Sequence, residues 1–201
     1  LRWTYQMEGA QDVRAVRTAG DGLYALGNGP SGASVARLSA DGEEIWRHAL
    51  PGTYGVALAA ADEGVAVVVR EVVEGGQRTT AVRLDADGGR VWQQAVGTDQ
   101  DGGGASVAVL PDGGVAVGTA SFPDGPFGGG SRTELVVLDA AGAVRQRVAV
   151  NEPGEDTTFV EGLLVRPGGT LVAVLAVGPR RLGGYGGDDF DIEVRTLPIG
   201  G

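Results

Sequence analysis

The residues of this chain best suited to hold a ligand are carboxylates and aromatic rings set among glycines. Asp99 and Asp101 lie in GTDQDGGG (97-104), Phe122, Asp124 and Phe127 in SFPDGPFGGGSR (121-132), and Glu155 and Asp156 in NEPGEDTT (151-158). Tyr185, Asp188 and Asp189 lie in GPRRLGGYGGDDFD (178-191). Flat rings on adaptable backbone are the chemistry of a binding surface, and carboxylates there accept hydrogen bonds from hydroxyl or amide donors. The competing expectation is that these loops are merely solvated, with their rings tucked back onto the elements that carry them. An acidic pair about 5 to 10 Å apart would suit glycoside hydrolysis instead. No cofactor is expected, with calcium on the acidic rim as the alternative, since carboxylate oxygens are its ligands.

Other reactive chemistry is scarce. The chain has no Cys, and its sixteen basic residues are all Arg, so thiolate, disulfide and lysine Schiff-base chemistry are excluded. The single histidine, His48, has no second imidazole to share a metal with and is read as a strand residue. Asp85, Asp87 and Gly88 have the outline of a calcium loop, and Ser39-Ala40-Asp41-Gly42 before Trp46 that of the Asp-box of sialidases. Both are better read as turns in which a side-chain oxygen accepts backbone N–H groups while glycine takes positive φ.

Those turns belong to a repeat that dictates the elements. SVARLSADGEEIW (34-46), TAVRLDADGGRVW (80-92) and ELVVLDAAGAVRQ (134-146) share one plan. EVRTLPIGG (193-201) joined to Leu1-Arg2-Trp3 gives a fourth copy split by the termini. Trp3, Trp46, Trp92 and Gln146 are separated by 43, 46 and 54 residues, a period that marks propeller blades or solenoid units. Each period holds two hairpin signals, β-branched runs joined by Gly and Asp. The inner hairpin recurs as AVRTAGDGLYALG, GVALAAADEGVAVVV, SVAVLPDGGVAVG and LLVRPGGTLVAVL.

The expectation is therefore one all-β domain over 1-201, a four-bladed β-propeller of four-stranded antiparallel blades. Blade 1 covers about 11-50, blade 2 about 55-97, blade 3 about 104-150, and blade 4 about 158-197 plus 1-7. The N-terminal strand is expected to pair with 191-196 and close the ring, removing an open sheet edge. A monomer is favoured, with two chains pairing head to tail into a ring of eight blades as the rival. Trp3, Trp46 and Trp92 are expected to fill wedges between blades.

A net charge of -10 makes nucleic acid and anionic membrane poor partners. No apolar run is long enough for a membrane-spanning helix. The phrase LDADGGRVWQQAV resembles the repeat of quinoprotein-type (PQQ-like) propellers and of related bacterial cell-surface propellers, through Leu84, Asp85, Gly88, Trp92 and Leu38, Asp41, Gly42, Trp46. Blade 3 departs at Gln146. The resemblance implies calcium and quinone binding in a larger ring among the enzymes, and scaffold or surface roles among the non-catalytic relatives. The expected function is non-enzymatic, a binding or scaffold propeller engaging a protein or glycan through its acidic loop face, in an extracytoplasmic setting, periplasmic or cell-surface. The alternatives are a structural spacer of a larger bacterial surface protein, and a carboxylate-based glycosidase or quinoprotein relative.

Overall fold

In the computed structural model the described residues are 3-74, 76-97, 105-122, 131-151, 157-167, 169-178 and 191-197. They form four antiparallel sheets, each an up-and-down meander. Blade 1 is β1 (Asp12–Ala19), β2 (Gly22–Gly29), β3 (Gly32–Leu38) and β4 (Glu44–Pro51). Blade 2 is β5 (Thr53–Ala61), β6 (Gly64–Val73), β7 (Gly76–Asp85) and β8 (Arg90–Ala95). Blade 3 is β9 (Ser106–Val109), β10 (Val115–Ser121), β11 (Arg132–Leu138) and β12 (Val144–Ala149). Blade 4 is β13 (Thr157–Val165), β14 (Leu171–Gly178) and β15 (Asp191–Leu197). The chain is a β-propeller: β1, β5, β9 and β13 are the inner strands, and each of the first three packs on the next.

The core consists of the interfaces between blades. Leu26, Val35 and Leu50 of blade 1 meet Leu58, Val67 and Leu84 of blade 2. Val68 and Ala81 of blade 2 meet Val107, Val117 and Leu138 of blade 3. Leu135, Val137 and Val150 of blade 3 meet Val160, Leu163 and Leu175 of blade 4. Because both faces of a middle strand are covered, β6 and β10 read as continuous β-branched runs, not alternating ones.

The repeated turn explains the repeated tryptophan. Asp85 Oδ1 accepts the N–H groups of Asp87 and Gly89, and Asp139 Oδ1 those of Ala141 and Ala143. In blade 1 the acceptor is Ser39 Oγ, so Ser39 and not Asp41 is the equivalent of Asp85. Gly42, Gly88 and Gly142 take φ of 85°, 83° and 86°. The Cβ of any other residue there would lie within 2.4 to 2.7 Å of the ring of Trp3, Trp46 or Trp92, respectively. Each indole sits on the turn of the next blade and donates its Nε1–H to an alanine carbonyl, Ala40, Ala86 or Ala140, at 2.9, 2.7 and 3.0 Å. His48 is likewise structural, with Nδ1 2.9 Å from the Gly88 carbonyl, which requires that nitrogen to carry the proton.

The N-terminal segment departs from expectation. Among the described residues, 3-7 form no strand, blade 4 has three strands, and no backbone hydrogen bond joins the segment to β15. The segment is held by side chains on blade 1. Met7, Trp3 and Tyr5 cover Ala25, Ala36 and Leu38, Tyr5 Oη donates to Glu44 Oε2, and Arg47 Nη1 donates to the Glu8 carbonyl at 3.0 Å. It thus lies where the outermost strand of a preceding blade would lie.

Candidate functional site

A β-bulge in three inner strands builds the centre of the molecule. The register slips between Val13 and Ala15, between Gly55 and Ala57, and between Val160 and Gly162. The extra residue in each case, Arg14, Val56 or Glu161, is left out of the ladder, which is how a bulge re-aims a side chain. Ala105 occupies the matching place before β9. All four line one axial cavity of about 460 Å³, within the range of small-ligand sites.

Around that axis, equivalent positions thus carry a cation, two small apolar groups and an anion. Arg17 and Thr18 of β1 add polar lining. Neither Arg14 nor Arg17 makes an ion pair with a described carboxylate. Arg17 donates to the neighbouring Val16 carbonyl, and Arg14 lies with its Cζ 5.4 Å from the centre of the Tyr54 ring, a cation–π distance.

Arg14 also opens onto a second cavity, of about 510 Å³, lined by Thr53, Tyr54, Arg70, Val72 and Gln77. It sits at the strand ends from which the inter-blade and β6–β7 loops leave. The start of β5 is fixed there by the buried Asn28, whose amide clamps Gly55 by accepting from its N–H at 2.6 Å and donating to its carbonyl at 3.2 Å. Tyr54 is thereby presented to solvent from an anchored backbone. Glu71 nearby is neutralised by Arg78 at 2.7 Å and also accepts from Gln93.

Among the described lining residues the two cavities hold three guanidinium groups, Arg14, Arg17 and Arg70, against one carboxylate, Glu161. The described lining of the two cavities is therefore net basic within an acidic chain. Asp99, Asp101, Asp124, Phe127, Glu155, Asp156, Tyr185, Asp188 and Asp189 lie outside the described residues. Phe122 is described, and it is buried rather than offered to a ligand, its ring centre 6.0 Å from that of Phe159. Among the described residues no cluster of three metal-ligating side chains occurs.

Arg14, Tyr54 and Glu161 were not legible as site residues from sequence. The one available signal was that Arg14 and Glu161 are charged where the sister repeats have Val56 and Ala105.

No family model matches the sequence, and no curated protein matches it. Solved structures do match. An endo-arabinase from Bacteroides thetaiotaomicron aligns over 99% of this chain and 80% of its own at 12% identity, with a TM-score of 0.52. The WD40 domain of Neurospora crassa Pan2 aligns over 83% of this chain and 46% of its own at 11% identity, with a TM-score of 0.49. An endo-1,4-beta-xylanase from B. thetaiotaomicron aligns over 87% of this chain and 71% of its own at 10% identity, with a TM-score of 0.41. At these identities the likeness is one of fold.

Proposed function

We propose that this protein is a non-enzymatic binding propeller that engages a glycan, or a protein offering similar polar groups, at the loop-bearing mouth of its axial cavity. The observation that carries the reading is Arg14, lifted out of its strand by a bulge, set over the exposed Tyr54 ring and lacking a carboxylate partner among the described residues. A guanidinium takes a carboxylate through two parallel hydrogen bonds, and a tyrosine ring gives an apolar face with a polar tip. A carboxylate-bearing sugar matches both. Arg17 and Arg70 extend the basic lining, and Glu161 would accept from sugar hydroxyls.

We take the repeat to be of the quinoprotein type, used without a quinone, and place the protein outside the cytoplasm with the non-catalytic surface relatives that the repeat resembles. A glycosidase reading draws on the endo-arabinase fold. It needs two carboxylates flanking one bond, whereas the described lining of the axial cavity supplies Glu161.

The test is an array of neutral, uronate-bearing and sulfated oligosaccharides probed with the wild type, Arg14→Gln and Tyr54→Ala. Retention of uronate-bearing glycans, weakened about 10- to 100-fold by either substitution, is expected from losing one charged or stacking contact. Binding indifferent to both substitutions, or no glycan retained, would reject the glycan reading. Release of new reducing ends from a bound glycan would replace it with hydrolysis.

A further inference from the structure

Among the described residues, three apolar clusters join consecutive blades, and a fourth joins the N-terminal segment to blade 1. Among the described residues no cluster covers the far face of blade 4. On the third strand of each blade, Ala33, Thr79 and Thr133 are equivalent to Ile192, and Val35, Ala81 and Leu135 to Val194. The first six are buried; Ile192 is 79% exposed and Val194 64%. Val35, Ala81 and Leu135 all point at the following blade, so Ile192 and Val194 point at where a following blade would stand. Leu164 on β13 shares that face and is also exposed, whereas its equivalent Ala108 is buried.

Blade 1 shows the matching deficit. Val16 is 47% exposed, while its equivalents Leu58, Val107 and Leu163 are buried against a preceding blade. The outer half of that face is already covered by Trp3, Tyr5 and Met7, seated like the outer strand of a preceding blade. The two open faces are the two halves of a contact that the chain makes three times internally.

We infer that the open faces are closed by a second copy of this chain, blade 4 of each copy docking on blade 1 of the other to give a composite ring of eight blades. Self-complementarity argues for this occupant, since any blade 1 brings Trp3–Met7 with it and sets that segment beside the free edge of β15. That segment then supplies the fourth strand blade 4 lacks. An exposed strand edge flanked by apolar side chains is otherwise an invitation to uncontrolled pairing. The contact is heterologous, and two copies close it only if the rotation returns on itself.

The test is solution mass by light scattering over a wide concentration range. Twice 20.4 kDa is expected for the wild type, and 20.4 kDa for Ile192→Glu/Val194→Glu and for Val16→Glu, with unchanged circular dichroism. These side chains are solvent-exposed in the single chain, so the variants should fold. Each is expected to weaken association at least about 100-fold, as for loss of a central apolar anchor. Mixing the two variants should restore a dimer through the one intact interface, because one keeps a native blade 4 and the other a native blade 1. A monomeric wild type would overturn the proposal, as would a dimer that neither variant weakens or a mixture that stays monomeric.

Discussion

The face between blades 1 and 2 and the outer face of blade 4 are made from the same kinds of residue in the same register, and they have opposite fates. Val35 and Val194 are both valines at the fourth-from-last residue of a third strand, aligned by the repeat. One lies among Leu26, Leu58 and Val67, and the other faces solvent. The difference teaches that a blade's stability resides in its neighbours: a β-sheet buries nothing by pairing its own strands edge to edge, and only a facing sheet removes its apolar side chains from water.

The largest effect should come from cutting away what covers blade 1. Deleting residues 1-8 uncovers Ala25, Ala36 and Leu38 and removes Met7 and Trp3, which at about 1.5 to 3 kcal/mol per buried side chain amounts to about 3 to 6 kcal/mol. Urea unfolding would measure it. A deletion that leaves the midpoint unchanged would mean the segment is not part of the core.

Trp92→Ala comes next, at about 2 to 4 kcal/mol, since it uncovers the Asp139 turn on which the indole lies and removes its hydrogen bond to the Ala140 carbonyl. A loss as small as that of an exposed residue would show that the indole is a surface ornament of the turn.

The sharpest form of the comparison is a matched pair of truncations. Val35→Ala should cost about 1 to 3 kcal/mol, and Val194→Ala less than about 0.5 kcal/mol at dilutions where the chain is alone. Equal costs at the two sites in the isolated chain would show that the blade 4 face is covered intramolecularly in solution.

The smallest effect is electrostatic. Hydrogen bonds from Arg47 and then Tyr5 hold Glu44 below its ordinary value of 4.5. Because the folded value is depressed, its contribution is present above the unfolded carboxylate range and disappears as pH falls through the folded value. Acidification below the ordinary carboxylate range should therefore loosen residues 3-8 before the blades themselves, read as faster amide exchange at Ala10, whose N–H donates to the Met7 carbonyl at 3.2 Å. Glu44→Gln should show the loosened behaviour at neutral pH and no further acid step.

Much of this architecture could be read from the chain. Asp85, Gly88 and Trp92, with their partial copies, announced the third-to-fourth turn because that turn is a local object: one acceptor side chain, one residue at positive φ, one ring to lie on it. Strand positions followed for the same reason. The run GVALAAADEGVAVVV reads as an inner hairpin in the sequence, and β5 spans Thr53–Ala61 before its turn. The site was far less legible. Arg14 and Glu161 owe their place at the axis to bulges, and nothing in DVRAV or FVEGL distinguishes a bulged residue from one that stays in register. Tyr54 gained its role only through Arg14, forty residues away in sequence. Phe122 illustrates the converse: a ring among glycines suggested a surface anchor, and a neighbour on the next blade, Phe159, took it inward.

By itself, then, the sequence determined the blades, their order and their turns, because the β preference of branched runs, turn hydrogen bonding and glycine's backbone freedom act over a few residues. Whether the last blade meets the first was decided only in three dimensions. That outcome depends on the angle accumulated over three blade-to-blade packings, and on the N-terminal segment finding its best contacts on blade 1, through Met7, Trp3 and the Tyr5–Glu44–Arg47 bonds, and not on β15.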